Sequence, residues 1–328
     1  MPVPEIHDLS GRTFFVTGGT GAVGRTLIDY FDLCYRTYGG FGVVVLTRDA
    51  EAFAVKYPLQ ARHPWLSFAV GNLVDLQTLP KGVTDVIHGA ADTHLNIGHA
   101  AWVDQIVGGT HALLTASAKA AVERFLLISS GAIYGPQPTT VTHLNEEYAG
   151  APDPLLVSST YGQSKRMAEQ LCAIFCHEHG LGSVIARLFA FGSVHVPRDG
   201  RYALGSFIQD ALADNVAPIC VAGDGTAVRS YLGARDMAHA LVTALSSGVP
   251  GVAYNVGSDV AVTIGDLAHA VRDRLSPKRE ILVLGTPGNH QRSLYVPSVA
   301  RIAALGAATA TELTTVIDDA AGVVCTRT

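Results

Sequence analysis

Cysteine, charge and long apolar runs are the scarce features of this sequence. Five cysteines in 328 residues form no Cys-x-x-Cys pair and no disulfide-scaffold spacing, which excludes a stapled secreted module and the common zinc and redox motifs. Cys172 and Cys176 stand one helical turn apart, and two readings stay open for them, half-buried small apolar residues or a pair of metal ligands. Charged residues make up only 16% of the chain and the net charge is −5, so there is no basic footprint for nucleic acid. No uninterrupted apolar stretch free of glycine, proline and charge is long enough to span a bilayer. The opening MPVPEIHDLSG has no basic region followed by an apolar core. The expectation is therefore a soluble, cytoplasmic protein of a reducing compartment, with no membrane and no nucleic-acid partner. Internal repeats, low-complexity segments and metal-site spacings of histidine are also missing.

What is abundant is apolar and small. A hydrophobic fraction of 48% with 34 glycines suits a parallel sheet buried on both faces. The chain is long enough for one large domain or two smaller ones. The stretch FFVTGGTGAVG, Phe14 to Gly24, reads as a strand, a tight turn and a helix start. Gly18, Gly21 and Gly24 recur three residues apart: one for the turn, one for close approach of a pyrophosphate, one for close packing of helix on strand. The helix then directs its free N–H groups at the phosphates.

Strands and helices alternate from there. Gly42 to Leu46, Trp65 to Val70, Val83 to His88, Arg124 to Ser130 and Ser183 to Phe189 read as further strands, and Ala100 to Ala120 and Tyr161 to His177 as long helices. The fourth strand ends in Gly89-Ala90-Ala91, small residues that let a ligand lie against the backbone. The fifth ends in the polar Ser129-Ser130, where open α/β sheets place their ligands. Beyond Phe191 the chain breaks into Gly- and Pro-punctuated pieces. The expected division is a doubly wound, Rossmann-type α/β domain over 1–190 with a return segment at about 231–257. A smaller interleaved α/β cap for substrate would be formed by 191–230 and 258–328.

Tyr161-Gly-Gln-Ser-Lys165 puts a phenol and an ammonium one turn apart on one helix face. A neighbouring cation favours the phenolate, so Lys165 is expected to lower the tyrosine below its reference value. An exposed i,i+4 pair is the alternative for the motif alone.

Together these motifs resemble an extended short-chain dehydrogenase/reductase, of the nucleotide-sugar epimerase and dehydratase branch. The resemblance rests on TGGTGAVG, HGAA at 88–91, SSGAIYG at 129–135, YGQSK at 161–165, RSYL at 229–232 and YNVGS at 254–258, and covers nearly the whole chain. It implies a Rossmann domain holding a nicotinamide cofactor, a cap for an NDP-sugar, and a catalytic set of Ser130, Tyr161 and Lys165. Hydride transfer belongs to the cofactor, while the protein orients C4 of the sugar and moves its hydroxyl proton. Tyr161 would be the acid–base group, Ser130 would hydrogen-bond the reacting oxygen, and Lys165 would also bind the nicotinamide ribose. The resemblance further implies that Gly18, Gly21, Ala22, Val23, Gly24, Arg48, Asn72, Leu73, Ala90 and Ala91 line the cofactor site with Tyr161 and Lys165. Arg229 would bind the substrate diphosphate, as a guanidinium suits, with an ordinary surface arginine as its alternative. Asn255 is expected to tie a turn. The two long helices match the pair through which the family forms homodimers as a four-helix bundle.

Departures narrow the function. Sugar 4,6-dehydratases follow the catalytic hydroxyl residue with Asp-Glu, where this chain has Gly131 and Ala132, and the asparagine after the sixth strand is Ala190. Elimination thus lacks its acid and base. The expected reaction is oxidoreduction at C4 of an NDP-sugar, with a 4-epimerase as the first reading and an NDP-4-keto-6-deoxysugar 4-ketoreductase as the second. A cofactor-binding protein without catalysis is a third. At the end of the second strand, where an NAD enzyme carries an acid, stand Thr47-Arg48, so NADP is slightly favoured over NAD. A solvent-facing Arg48, with Asp49 reaching a ribose, is the alternative.

Overall fold

The computed structural model describes residues 6–91, 98–215, 217–286, 288, 292–307 and 311–323. Apolar runs with β-branched residues form a seven-stranded parallel sheet, of β1 (Thr13–Thr17), β2 (Gly42–Thr47), β3 (Leu66–Val70), β4 (Asp85–His88), β5 (Arg124–Ser130), β6 (Ser183–Leu188) and, after two short strands, β9 (Ala253–Val256). The order is β3-β2-β1-β4-β5-β6-β9. Chain order therefore reverses at β1, and the crevice between β1 and β4 is where such sheets bind ligands.

Both faces of the sheet are buried. Phe14 packs on one side with Leu27, Phe31 and Leu241, and Phe15 on the other with Leu113, Leu114 and Phe125. Each of these fully buried side chains contributes about 2 kcal/mol from apolar surface removed from water. Register aligns the strand ends: Thr17 sits opposite Leu46 and His88, and Ser130 opposite Leu188. Polar groups thus gather along one edge of an apolar sheet.

The remaining strands are β7 (Ile219–Val221), β8 (Val228–Arg229), β10 (Val262–Thr263) and β11 (Ile281–Val283), paired as β7 with β11 and β8 with β10. A third core cluster, of Leu204, Phe207, Ile208, Leu267, Val271, Val316 and Ile317, packs around them.

One expected helix is interrupted. Instead of running unbroken from Ala100 to Ala120, the chain is α-helical at His99–Val103, widens into a π-turn at Asp104–Gly108, and resumes as α-helix over Gly109–Lys119. A side chain on Gly109 would begin 2.7 Å from Leu73 Cδ2, so the glycine pair that loosens the helix also admits close packing there.

Candidate active site

The glycine loop performs three separate jobs. Gly18 has φ +74°, and a Cβ on it would stand 2.6 Å from the Gly89 carbonyl, so the ends of β1 and β4 can meet only if it is glycine. Gly24 lies against Gly18 and Gly19, its own missing Cβ falling 2.3 Å from Gly19 Cα. Gly21 precedes the helix Ala22–Thr37 with no side-chain cap and no acid in the first turn, which leaves the helix N-terminus open to an anion. The strand-packing role belongs to Gly19, whose absent side chain makes room for Val45 at 2.6 Å; motif spacing did not single it out.

A groove of about 440 Å³ at the ends of β2 and β3 is lined by Phe15, Leu46, Ala69, Gly71, Asn72 and Leu76. Not every expected residue turns its side chain to it. Val23 packs on the core, Leu73 is buried against Gly109, and Asn72 donates to Asp75 at 3.2 Å. Ala90 donates its N–H to Thr17 Oγ1 at 3.2 Å, and Ala91 ends the described segment. Asp49 is engaged as the cap of the helix Ala50–Lys56, accepting from Ala52 N at 2.8 Å. Arg48 is exposed beside it.

Ser130, Tyr161 and Lys165 converge at the end of β5. Ser130 caps the short helix Gly131–Tyr134 through a bond from Ala132 N at 3.2 Å. Gly162 lets the helix Thr160–His179 settle on that turn, since a Cβ there would lie 2.7 Å from the Ala132 carbonyl oxygen. This is how Tyr161 comes beside Ser130. Trp102 packs its ring 5.5 Å from that of Tyr161.

The electrostatics differ from expectation. Tyr161 is pushed up to about 12, because burial of the phenol outweighs hydrogen bonding to Ser130, and the neighbouring Tyr202 adds to the rise. Lys165 is buried, donates to the Ile128 carbonyl oxygen at 2.8 Å, and is itself brought down to about 8 by burial. Its ammonium stands 6.0 Å from the Tyr161 ring centroid. The expectation that Lys165 holds the phenol below its usual value therefore fails for the protein without cofactor.

A polar network backs the site. Glu169, one turn beyond Lys165, accepts from Ser129 Oγ at 2.5 Å and from Arg187 Nη2 at 2.8 Å. Arg187 also donates to the Tyr134 hydroxyl, which donates to Asn255 Oδ1, both at 2.8 Å. Asn255 is fully buried and holds the Leu144 and Ser298 carbonyls, so it ties loops together. His88 is buried between Thr17 and Thr110 and kept neutral, down to about 3, chiefly by burial.

Two aromatic residues pack against the turn after Ser130. A side chain on Gly131 would begin 2.6 Å from both Phe189 Cζ and the Tyr295 hydroxyl. Arg229 is tied to Ser293, through its carbonyl and its hydroxyl, each at 3.2 Å, and its guanidinium carbon lies 5.9 Å from the Tyr295 ring centroid. Sequence reasoning missed Tyr295, which is separated from every motif by more than thirty residues of chain.

Among the described residues, no cluster of three histidine, cysteine or acidic side chains could hold a metal, and no helix is long and apolar enough to cross a membrane. Cys172 is buried, Cys176 is partly so, and His177 and His179 are exposed.

Comparison with known proteins agrees with this architecture. Residues 14–257 match the model of the NAD dependent epimerase/dehydratase family. The low-salt glycan biosynthesis protein Agl12 of Haloferax volcanii is 30% identical over 258 residues, 76% of this chain and 77% of that protein. A trifunctional UDP-glucose 4,6-dehydratase/UDP-4-keto-6-deoxy-D-glucose 3,5-epimerase/UDP-4-keto-L-rhamnose-reductase of Arabidopsis thaliana is 28% identical over 287 residues, 83% of this chain but only 42% of that longer protein. In structure, the UDP-N-acetylglucosamine 4-epimerase of Methanobrevibacter ruminantium superposes with a TM-score of 0.82 over 96% of this chain and 98% of that one, at 18% identity.

Proposed function

We propose a C4 oxidoreduction from the premise that the family match sets: the chain belongs to the NAD dependent epimerase/dehydratase family. It is an enzyme of the nucleotide-sugar epimerase/dehydratase kind within the extended short-chain dehydrogenases/reductases. Within that family, our reading is a 4-epimerase acting on an NDP-sugar.

The observation that carries this reading is the packing of two aromatic rings against Gly131, next to Ser130. Ser130, Tyr161 and Lys165 supply what alcohol oxidation at one carbon needs, and the space beside Ser130 that an eliminating acid would use is filled by Tyr295 and Phe189. A side chain at 131 would displace both rings. The relatives' names, which include dehydratases as well as epimerases, leave both reactions in view, and the filled space favours the second.

NAD(P), bound over the glycine loop, would supply the hydride acceptor and donor. The chain's own part is then positional. Tyr161, as phenolate, takes the proton of the C4 hydroxyl while Ser130 donates a hydrogen bond to the same oxygen. Lys165 would hold the cofactor's ribose. Arg229, presented by β8, would grip the diphosphate, and segments 191–230 and 258–328 would supply the cap for the sugar. After rotation of the 4-keto sugar, Tyr161 returns the proton on reduction from the other face.

A ketoreductase is the second reading, favoured by Arg48. With Asp49 occupied as a helix cap, no carboxylate at the end of β2 is left to meet a ribose 2′-hydroxyl, and Arg48 can pair with a 2′-phosphate. NADPH is the reductant such an enzyme would consume and release.

The protein is further read as a homodimer. Leu155, Leu156, Val157 and Met167 are at least half exposed and, with Val103, line a groove of about 560 Å³ between the two long helical segments. An apolar patch there suits a second copy of the chain completing a four-helix bundle.

Incubation with a panel of NDP-hexoses, NDP-uronic acids and 4-keto-6-deoxy sugars, followed by NMR, tests the reaction. A C4-inverted sugar formed without added cofactor supports the epimerase. Consumption of a 4-keto sugar only with added NADPH or NADH supports the reductase.

A further inference from the structure

We infer that Glu169 is a positioning residue of this site: its carboxylate docks the helix that carries Tyr161 and Lys165 onto the strand that ends in Ser130, and stands as the counter-charge of the buried Lys165 ammonium. This rests on the C4 reading above and adds a group to its site.

Tyr161, Lys165 and Glu169 follow one another at intervals of one turn within Thr160–His179, so their side chains lie along one stripe of the helix. Lys165 and Glu169 meet β5 at consecutive residues. Lys165 donates to the Ile128 carbonyl oxygen at 2.8 Å, and Ser129 Oγ donates to Glu169 Oε1 at 2.5 Å. The next residue of the strand is Ser130. Two bonds a turn apart thus fix the height of the helix against the strand, and a slip there would carry Tyr161 away from Ser130. The carboxylate is itself held. Arg187, opposite Ser129 in the sheet, donates from Nε to both carboxylate oxygens at 3.2 Å and from Nη2 to Oε2 at 2.8 Å. Its Nη1 reaches the Tyr134 hydroxyl at 2.8 Å and the Glu146 carbonyl at 3.1 Å. The side chains of Glu169 and Arg187 are only 11% and 14% exposed. A buried ion pair adds little net stability over apolar residues of the same volume, so the pair is better accounted for by what it orients.

The charge matters because Lys165 is poised. Burial brings its ammonium down to about 8, and Glu169 acts in the opposite sense. The other titratable groups facing it are Tyr161 and Cys172 of its own helix and His88 of β4. Burial keeps each of these neutral, the phenol at about 12, the thiol above its ordinary range and the imidazole at about 3. Arg187 of β6 is engaged as the partner of the carboxylate. Glu169 is therefore the negative charge among the described residues that face the lysine. An opposite charge favours the charged form, so its presence decides whether Lys165 is an ammonium near neutral pH. An ammonium keeps donors for a ribose beside the one given to Ile128, and a neutral amine is a weaker donor. No bond is made or broken at Glu169.

Glu169→Gln keeps the shape of the side chain and an acceptor for Ser129, and removes the charge. The chain has only five lysines, so NMR of the lysine Cε carbons in the protein without cofactor reports Lys165 as the signal missing from Lys165→Met. Its midpoint should fall by about one pH unit or more in Glu169→Gln. Calorimetric titration with NAD⁺ at about pH 8 should show binding weakened by roughly fivefold, and the deficit should shrink to less than about twofold at about pH 6.5, where the lysine regains its proton. Acid would not repair a merely structural defect. Because the single change leaves Arg187 unpaired, Glu169→Gln combined with Arg187→Gln is the companion variant, and its Lys165 midpoint should also lie below that of the wild type. An unchanged midpoint in either folded variant, or a binding loss of equal size at both pH values, would overturn the assignment. A lowered midpoint in a protein that converts no NDP-sugar would leave Glu169 in its role and remove the C4 reading instead.

Discussion

Lys165 donates its ammonium to the Ile128 carbonyl oxygen at 2.8 Å, and that bond fixes where the charge sits relative to Tyr161. The lysine is anchored to β5, the strand that ends in Ser130, so the three groups share one rigid support. Burial raises the Tyr161 phenol to about 12, so a group that favours the phenolate is needed for it to act as a base.

Loss of the phenol should therefore abolish chemistry and spare binding. Tyr161→Phe is expected to bind cofactor normally in calorimetry and to lose at least ~10²-fold in turnover, the low end for positioned acid–base catalysis. Lys165→Met should lose turnover and weaken cofactor binding together. Near-normal turnover in Tyr161→Phe would mean another group moves the proton.

The pH dependence follows from the same burial. An enclosed phenol disfavours its charged form, so the folded value, about 12, lies above the ordinary ~10. Between these values the unfolded chain loses its proton first, and stability should fall as pH rises through that window. The cationic ring of oxidised nicotinamide acts in the opposite sense on the phenol. A spectroscopic titration should show the Tyr161 midpoint falling by at least about one unit with NAD⁺ and by less with NADH. Equal midpoints with and without NAD⁺ would contradict this.

Cofactor choice is carried by one side chain. Arg48 stands exposed at the end of β2 while Asp49 is occupied as a cap, so NADP should bind more tightly than NAD in calorimetric titration. Arg48→Ala should lose about tenfold for NADP, the weight of a charge-assisted pair, and little for NAD. Tighter binding of NAD by the wild type would remove the argument.

The exposed apolar side chains near the two long helices should be covered by a second copy. Sedimentation at micromolar concentration is expected to give a dimer for the wild type and a monomer for Leu155→Asp combined with Met167→Asp, because buried unpaired carboxylates are costly. A monomeric wild type, or an unaffected double variant, would place the interface elsewhere.

Much of this was legible in the sequence, for identifiable reasons. β5 has the expected bounds, Arg124 and Ser130, because an apolar run between a charge and two serines leaves little freedom, and the expected return segment at about 231–257 supplies β9 of the main sheet. Local spacing also places the close-packed Gly18 and Gly24 and brings Ser130 and Lys165 to the end of β5, since these positions depend on neighbours within a turn or a strand. What spacing could not give was anything set by distant chain. The π-turn at Asp104–Gly108 answers packing of Gly109 on Leu73, the raised Tyr161 phenol answers its burial, with Tyr202 adding electrostatically, and Tyr295 arrives from a segment with no motif of its own. Leu73 and Val23 were assigned by position in a pattern, and the fold turns their side chains into the core.

The central claim is that chemistry stays at C4, because position 131 carries no acid and Tyr295 and Phe189 fill the space its side chain would enter. The most direct measurement is NMR of the products formed from NDP-hexoses in deuterated buffer. The expected result is inversion at C4, or reduction of a 4-keto sugar, with no deuterium at C5. Appearance of a 4-keto-6-deoxy product from a plain NDP-hexose, carrying solvent deuterium, would show that elimination proceeds in a pocket held to exclude it.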